Sequence, residues 1–204
     1  MGTATAGPDV ADHARQLLDR TVAVHVALRD GDLAPLSAAC RVIADSLHRD
    51  GRVLVFGNGG SAAEAQHVAA EFVGRFQRER RALAAIALTT DTSALTAIAN
   101  DHGFERVFAR QVEALGRAGD VSLAISTSGA SPNVVEGQRA ARALGLATIA
   151  LTGRDGGVLG READIHVNVP AGETARVQEA QLTLLHILCD VVEREFAMPA
   201  PDAP

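Results

Sequence analysis

Short runs that stay apolar throughout, instead of alternating, constrain this chain more than anything else in it. Val53-Leu54-Val55-Phe56 and Thr148-Ile149-Ala150-Leu151 have this form, the one strands need when helices cover both faces of a parallel sheet. Helical periodicity fills the intervals between such runs. The order reads strand 53–56, helix 61–72, strand 84–88, a helical region 93–115, strand 121–125, helix 132–144, strands 147–151 and 165–169, and a closing helix 174–196. Two more helices, 10–29 and 33–48, come first. Alternation of this kind is that of a doubly wound α/β fold with a mainly parallel, five-stranded sheet. A chain of 204 residues, 47% of them hydrophobic, buries one sizeable core, so residues 9–197 are expected to form a single domain. The small, polar residues 1–8 and the Pro/Ala-rich residues 198–204 are expected to be disordered.

Ligands of such sheets bind at the carboxyl ends of the strands, and there the sequence changes texture. Gly57-Asn58-Gly59-Gly60-Ser61 follows one apolar run and Ser126-Thr127-Ser128-Gly129-Ala130-Ser131 another, each just before a helical pattern. A strand that turns into a helix through small residues aims backbone N–H groups, hydroxyls and the positive helix end at one anion. The hydroxyls of Ser126, Thr127, Ser128 and Ser131 crowd one turn that has no apolar reason to be so polar, and neutral donors in that number suit a phosphate monoester. Gly57 to Ala62 also fits the loose G-x-G-x-x-G/A dinucleotide pattern. The acidic residue expected about 20 positions on is misplaced, with Asp91 roughly ten residues late. No lysine follows either turn, which excludes a nucleotide P-loop. A sugar phosphate is the expected ligand class.

Net charge is −6, with the only cluster of basic residues at 75–81. That leaves no basic stripe for a nucleic-acid backbone and no polybasic membrane patch. Cys40 and Cys189 lie far apart in helical patterns and form no C-x-x-C pair, which suits buried thiols in a reducing compartment. No apolar run reaches membrane-spanning length, so a cytoplasmic protein is expected.

Beyond the first turn, His67 and Glu71 share one helix face, roughly 9 to 15 Å along the axis from the phosphate end. On the closing helix, Gln178 and His186 stand amid Val177, Leu182, Leu185, Leu188 and Val192. A histidine against apolar walls is a tunable acid/base or a neutral metal ligand, with Glu71 as its carboxylate counterpart. Two imidazoles and a carboxylate are a credible zinc set, with glutamine a weaker fourth ligand. A rise of about 12 Å separates Gln178 from His186, so both reach one site only through an oblique crossing or a neighbouring subunit. His13, His25, His48, His102 and His166 lack such company and are read as surface or structural.

Taken in order, Gly57-Asn58-Gly59-Gly60-Ser61, Gln66-His67, Glu71-Phe72, Gly74-Arg75, Ala99-Asn100-Asp101, Ser126-Thr127-Ser128-Gly129, Ser131, Leu151-Thr152-Gly153 and Val177-Gln178-Glu179 resemble the phosphoheptose isomerase family of SIS (sugar isomerase) domains. The resemblance runs in register from the opening helices through the closing one. It implies a flavodoxin-like SIS fold, N-terminal helices that pack an oligomer, and aldose–ketose isomerisation of sedoheptulose 7-phosphate to D-glycero-D-manno-heptose 7-phosphate through an enediol. It also implies a homotetramer with active sites between subunits. By the same resemblance Glu71 is the base and His186 the acid, and Asn58, Gly59, Gly60, Ser61, Glu71, Arg75, Asn100, Asp101, Ser126, Thr127, Ser128, Ser131 and Gln178 contact substrate. One zinc ion per subunit would fall to His67, Glu71, Gln178 and His186. The rivals are an isomerase of a shorter sugar phosphate and a non-catalytic SIS regulator that binds a sugar phosphate or a replication-initiator protein. The regulator lacks the carboxylate and the imidazole that this chain carries at Glu71 and His186.

Overall fold

A computed structural model describes residues 9–197; the disorder expected of residues 1–8 and 198–204 lies outside them. Two helices, α1 (Val10–Asp30) and α2 (Ala34–His48), lead into β1 (Val53–Gly57), α3 (Gly60–Val73), β2 (Ala85–Ala87), α4 (Thr92–His102) and α5 (Val107–Leu115). Then come β3 (Val121–Ser126), α6 (Pro132–Ala143), β4 (Ala147–Gly153), α7 (Gly157–Glu162), β5 (Ile165–Val169) and α8 (Thr174–Arg194). The five strands form one sheet in the order β2-β1-β3-β4-β5, every pairing parallel. β1 and β3 are fully buried, because helices cover both faces, and this is why their sequences do not alternate.

One layer of core joins α2, α3 and α8 to the sheet through Ile43, Leu47, Val68, Phe72, Leu185 and Leu188. The other joins α5, α6 and α7 through Phe108, Val112, Val134 and Leu159, with Phe56 of β1 stacked on Phe108 at 5.2 Å between ring centres. Each such side chain contributes about 1.5–3 kcal/mol by leaving water. The helical region 93–115 resolves into two helices, because Gly103 sits at φ +85° and ends α4 by donating its N–H to Ala99. A 3-10 turn, Phe104–Arg106, bridges to α5. Helix α7 has no counterpart in the sequence reading; it spans six residues, too few for an apolar period to register.

Helix α1 has no buried residue. It attaches to α8 through Thr21, whose hydroxyl donates to Glu179 at 2.9 Å, and through His25, 2.9 Å from the Thr183 hydroxyl. Its other side presents Leu18 and Val22, 64% and 60% exposed, together with Val26. Both cysteines are buried, and burial pushes their thiols up, Cys40 to about 11 and Cys189 to about 12. Among the described residues no helix is long and apolar enough to cross a membrane.

Candidate active site

The strand order brings the two glycine turns together. β1 and β3 are neighbours with Gly57 opposite Ile125, and the sheet reverses its winding between them, the place where such sheets bind ligands. Gly59, at φ +54°, lets the chain swing from β1 into α3. A Cβ on Gly57 would come within 2.6 Å of the Ile125 carbonyl, so the turn needs glycine to lie this close to β3. In the second turn the Ser126 hydroxyl accepts from the Gly129 N–H at 3.1 Å and lies 3.5 Å from that of Ser131. Ser128 accepts from the Ala130 N–H. Asn58 and Asn133 tie the turns together, each amide donating to the other at 2.8 Å. Nothing in the spacing of residues 58 and 133 announces this pair.

From the turns, α3 and α8 run side by side. Gln178 packs on Gly60 so tightly that a Cβ there would fall 2.1 Å from its amide nitrogen. Two turns further along α3, His67 Nε2 stands 2.8 Å from His186 Nε2 and 3.5 Å from a Glu71 oxygen. At that distance the two rings share a hydrogen bond whose direction depends on their tautomers, beside a carboxylate. Phe76 closes one side of His186, its ring 5.4 Å away. A groove of about 470 Å³, lined by Phe76, Arg78, Thr183, His186 and Asp190, opens next to it.

The expected site residues divide into two ends of one seam. Asn58, Gly59, Gly60, Ser61, Ser126, Thr127, Ser128, Ser131 and Gln178 lie at the end with the two turns, and His67, Glu71 and His186 meet at the other. Arg75 is exposed and paired with Glu79. Asn100 and Asp101 are exposed at the end of α4 and bonded to each other; among the described residues no hydrogen bond links either to the seam. As donors for a metal, His67, Glu71 and His186 offer two imidazoles and a carboxylate. Among the described residues no three His, Cys, Asp or Glu side chains are already set as a metal cluster. Tetrahedral zinc ligands stand about 3.4 Å apart, so the two rings would part by about half an ångström. The Gln178 amide would have to swing off Gly60 to join them.

One buried group escaped notice. Glu64, between Gly60 and His67 on the same side of α3, is buried with Oε2 lacking a hydrogen-bond partner, and burial pushes its pKa up to about 7 from an ordinary 4.5. Between pH 4.5 and 7 the folded chain keeps a proton that the unfolded chain has lost, so stability falls as pH rises through that window. Glu64→Gln is therefore expected to raise the melting temperature relative to the parent more at pH 8 than at pH 5, by about 3–8 °C. A difference that does not change with pH would show that the carboxyl stays ionised.

A parallel sheet with glycine- and serine-rich turns at its winding reversal, and a carboxylate with two imidazoles between α3 and α8, has the architecture of the SIS class; the family described as SIS domain matches residues 16–153. The phosphoheptose isomerase of Roseiflexus sp. (strain RS-1) is 58% identical over 152 residues, covering 74% of this chain and 77% of that one. Among solved structures, that of phosphoheptose isomerase from Neisseria gonorrhoeae is 44% identical with a TM-score of 0.86, covering 91% of this chain and 100% of the other. That from Francisella tularensis gives 34% and 0.88, covering 91% and 99%. The chain belongs to the phosphoheptose isomerase family of SIS-domain proteins.

Proposed function

We propose that this chain isomerises sedoheptulose 7-phosphate to D-glycero-D-manno-heptose 7-phosphate in heptose biosynthesis. The observation that carries the reading is the seam itself: an anion site at one end and a carboxylate with two imidazoles at the other, about 10 Å apart along α3. That span suits a sugar whose phosphate and carbonyl lie at opposite ends. The Ser/Thr turn and the start of α3 hold the phosphate. Glu71 takes the proton from C1 and returns it to C2 through an enediol, while His186 moves the proton between the two oxygens. Proton relay between His186 and His67 keeps the acid in supply.

His67, Glu71 and His186 are also the residues that would hold a zinc ion, which would polarise the ketone and stabilise the enediolate. A carboxylate bound to a cation is a weaker base, so zinc held by Glu71 would lower the basicity on which its role as base depends. The exposed apolar stripe of α1 supports assembly, here read as a homotetramer in which a neighbouring subunit completes the site with residues such as Asn100 and Asp101. Buried, unpaired thiols suit the cytoplasm.

Incubation with sedoheptulose 7-phosphate in deuterated water, followed by NMR, is expected to yield the aldose with deuterium at C2. A chelator is expected to lower the rate at least tenfold and added zinc to restore it. No reaction with zinc present would overturn the reading in favour of a shorter sugar phosphate or a binding role. Light scattering is expected to return about four times the 21.2 kDa of one chain; a monomer would remove the assembly.

A further inference from the structure

The basic stretch 75–81, which the substrate reading uses only through Arg75, supplies one half of a buried ion pair, Arg80 with Glu193 of α8, bonded to the Glu71 carbonyl and to the Phe76 main chain. Arg80 and Glu193 have side chains only 1% exposed, with Nε 3.2 Å from Oε1. The Arg80 fork runs to the open carbonyl end of α3. One terminal nitrogen donates to the Phe72, Gly74 and Arg81 carbonyls at 2.9–3.1 Å, and the other to the Glu71 carbonyl at 2.7 Å. A guanidinium there satisfies carbonyls that the helix leaves free and meets the negative end of its dipole. Glu193, two turns beyond His186 on α8, accepts the backbone N–H groups of Phe76, Gln77 and Arg78 at 2.8–2.9 Å. Burial alone would raise its pKa; these three N–H groups and Arg80 outweigh burial and hold it below the ordinary carboxylate range. Phe76, pinned by one of those bonds, is the residue whose ring rests on His186.

We propose that Arg80 and Glu193 are positioning residues for the isomerisation: the pair fixes the end of α3 that carries Glu71 against the stretch of α8 that carries His186, and holds Phe76 on the imidazole. This rests on the assignment of Glu71 and His186 made above. A pair that served stability alone would be replaceable. Exchanging both charges for apolar groups of similar volume is often neutral for stability, because the desolvation cost disappears with the attraction. It would also remove the bonds from Arg80 to the Glu71 and Phe72 carbonyls and those from the N–H groups of residues 76–78 to Glu193.

The test is the double variant Arg80→Met with Glu193→Leu, in the full chain. It is expected to remain folded at 25 °C with a lowered melting temperature, because the backbone carbonyls and N–H groups that Arg80 and Glu193 satisfied lose their partners, with kcat for sedoheptulose 7-phosphate lowered about 10- to 100-fold, the scale of an ångström-level misplacement, and KM changed less than threefold. A folded double variant with parental kcat overturns the proposal. Should that variant not fold, Arg80→Lys decides: it keeps the charge facing Glu193 but loses the planar fork. A kcat at least fivefold lower supports positioning and a parental kcat overturns it. If the parent itself proves inactive on this substrate, the functional reading fails and not the clamp. The clamp is then read from the nuclear Overhauser contacts between the Phe76 and His186 rings, 5.4 Å apart in the parent, which the variant loses if Phe76 is released and keeps if the pair positions nothing.

Discussion

Glu71→Gln is expected to lower turnover of sedoheptulose 7-phosphate by about 10²- to 10⁴-fold, the range a positioned general base supplies, while the melting temperature stays within a few degrees of the parent. The substitution keeps the shape of the side chain and removes the lone pair that takes the proton. Little in the fold itself depends on that carboxylate. Glu71 is half-buried on α3 with His67 at 3.5 Å, and its link to the fold runs through its main-chain carbonyl, held by Arg80. Partly exposed helix positions of this kind usually move stability by less than about 0.5 kcal/mol. Deuterium uptake at C2 should fall in step with aldose formation, since both require the same proton abstraction. A variant that keeps a near-parental rate would remove Glu71 as the base.

The second large effect is on folding. Gly129→Ala is expected to lower the melting temperature by about 6–12 °C, corresponding to about 3 kcal/mol. Gly129 has φ +62°, a conformation that strains any residue with a Cβ. The added carbon would lie 1.9 Å from the Gly156 carbonyl oxygen and 2.5 Å from its carbon. Both obstacles are backbone, so no rotamer change relieves them. The Gly129 carbonyl also accepts from the Leu159 N–H at 2.9 Å, which pins the serine-rich turn to α7. A shift of that turn would move Ser128 and Ser131, so KM is expected to rise along with the loss of stability. A melting temperature within 2 °C of the parent would show that α7 yields without cost.

What could be read from residues alone was whatever one element declares by itself. The uninterrupted apolar runs at Val53 and Ile149 declared strands covered on both faces, and glycine and serine after such runs declared tight strand-to-helix turns. The i, i+4 relation of His67 and Glu71 declared a shared helix face. Relations between distant segments were not legible. Nothing near Asn58 names Asn133 as its partner, and Glu193 reads as a charge at the end of an amphipathic helix until residues 76–78 are folded onto it. Glu64 reads as an ordinary acid of a helix, and its burial appears only once the chain is folded. Asn100 and Asp101, matched only through family resemblance, remain exposed in one chain, as the placement of residues completed by another subunit would require.

The reciprocal amides of Asn58 and Asn133 make the two turns a single body. Neither can tilt toward a ligand without breaking two hydrogen bonds, and Asn133 is buried, where a lost partner leaves an amide unsatisfied at about 1–3 kcal/mol. In the proposed function, the jaws that would receive the phosphate are thus set before it arrives. Their disorder is given up once, when the chain folds, and each arriving ligand keeps the affinity that ordering two loops would otherwise consume.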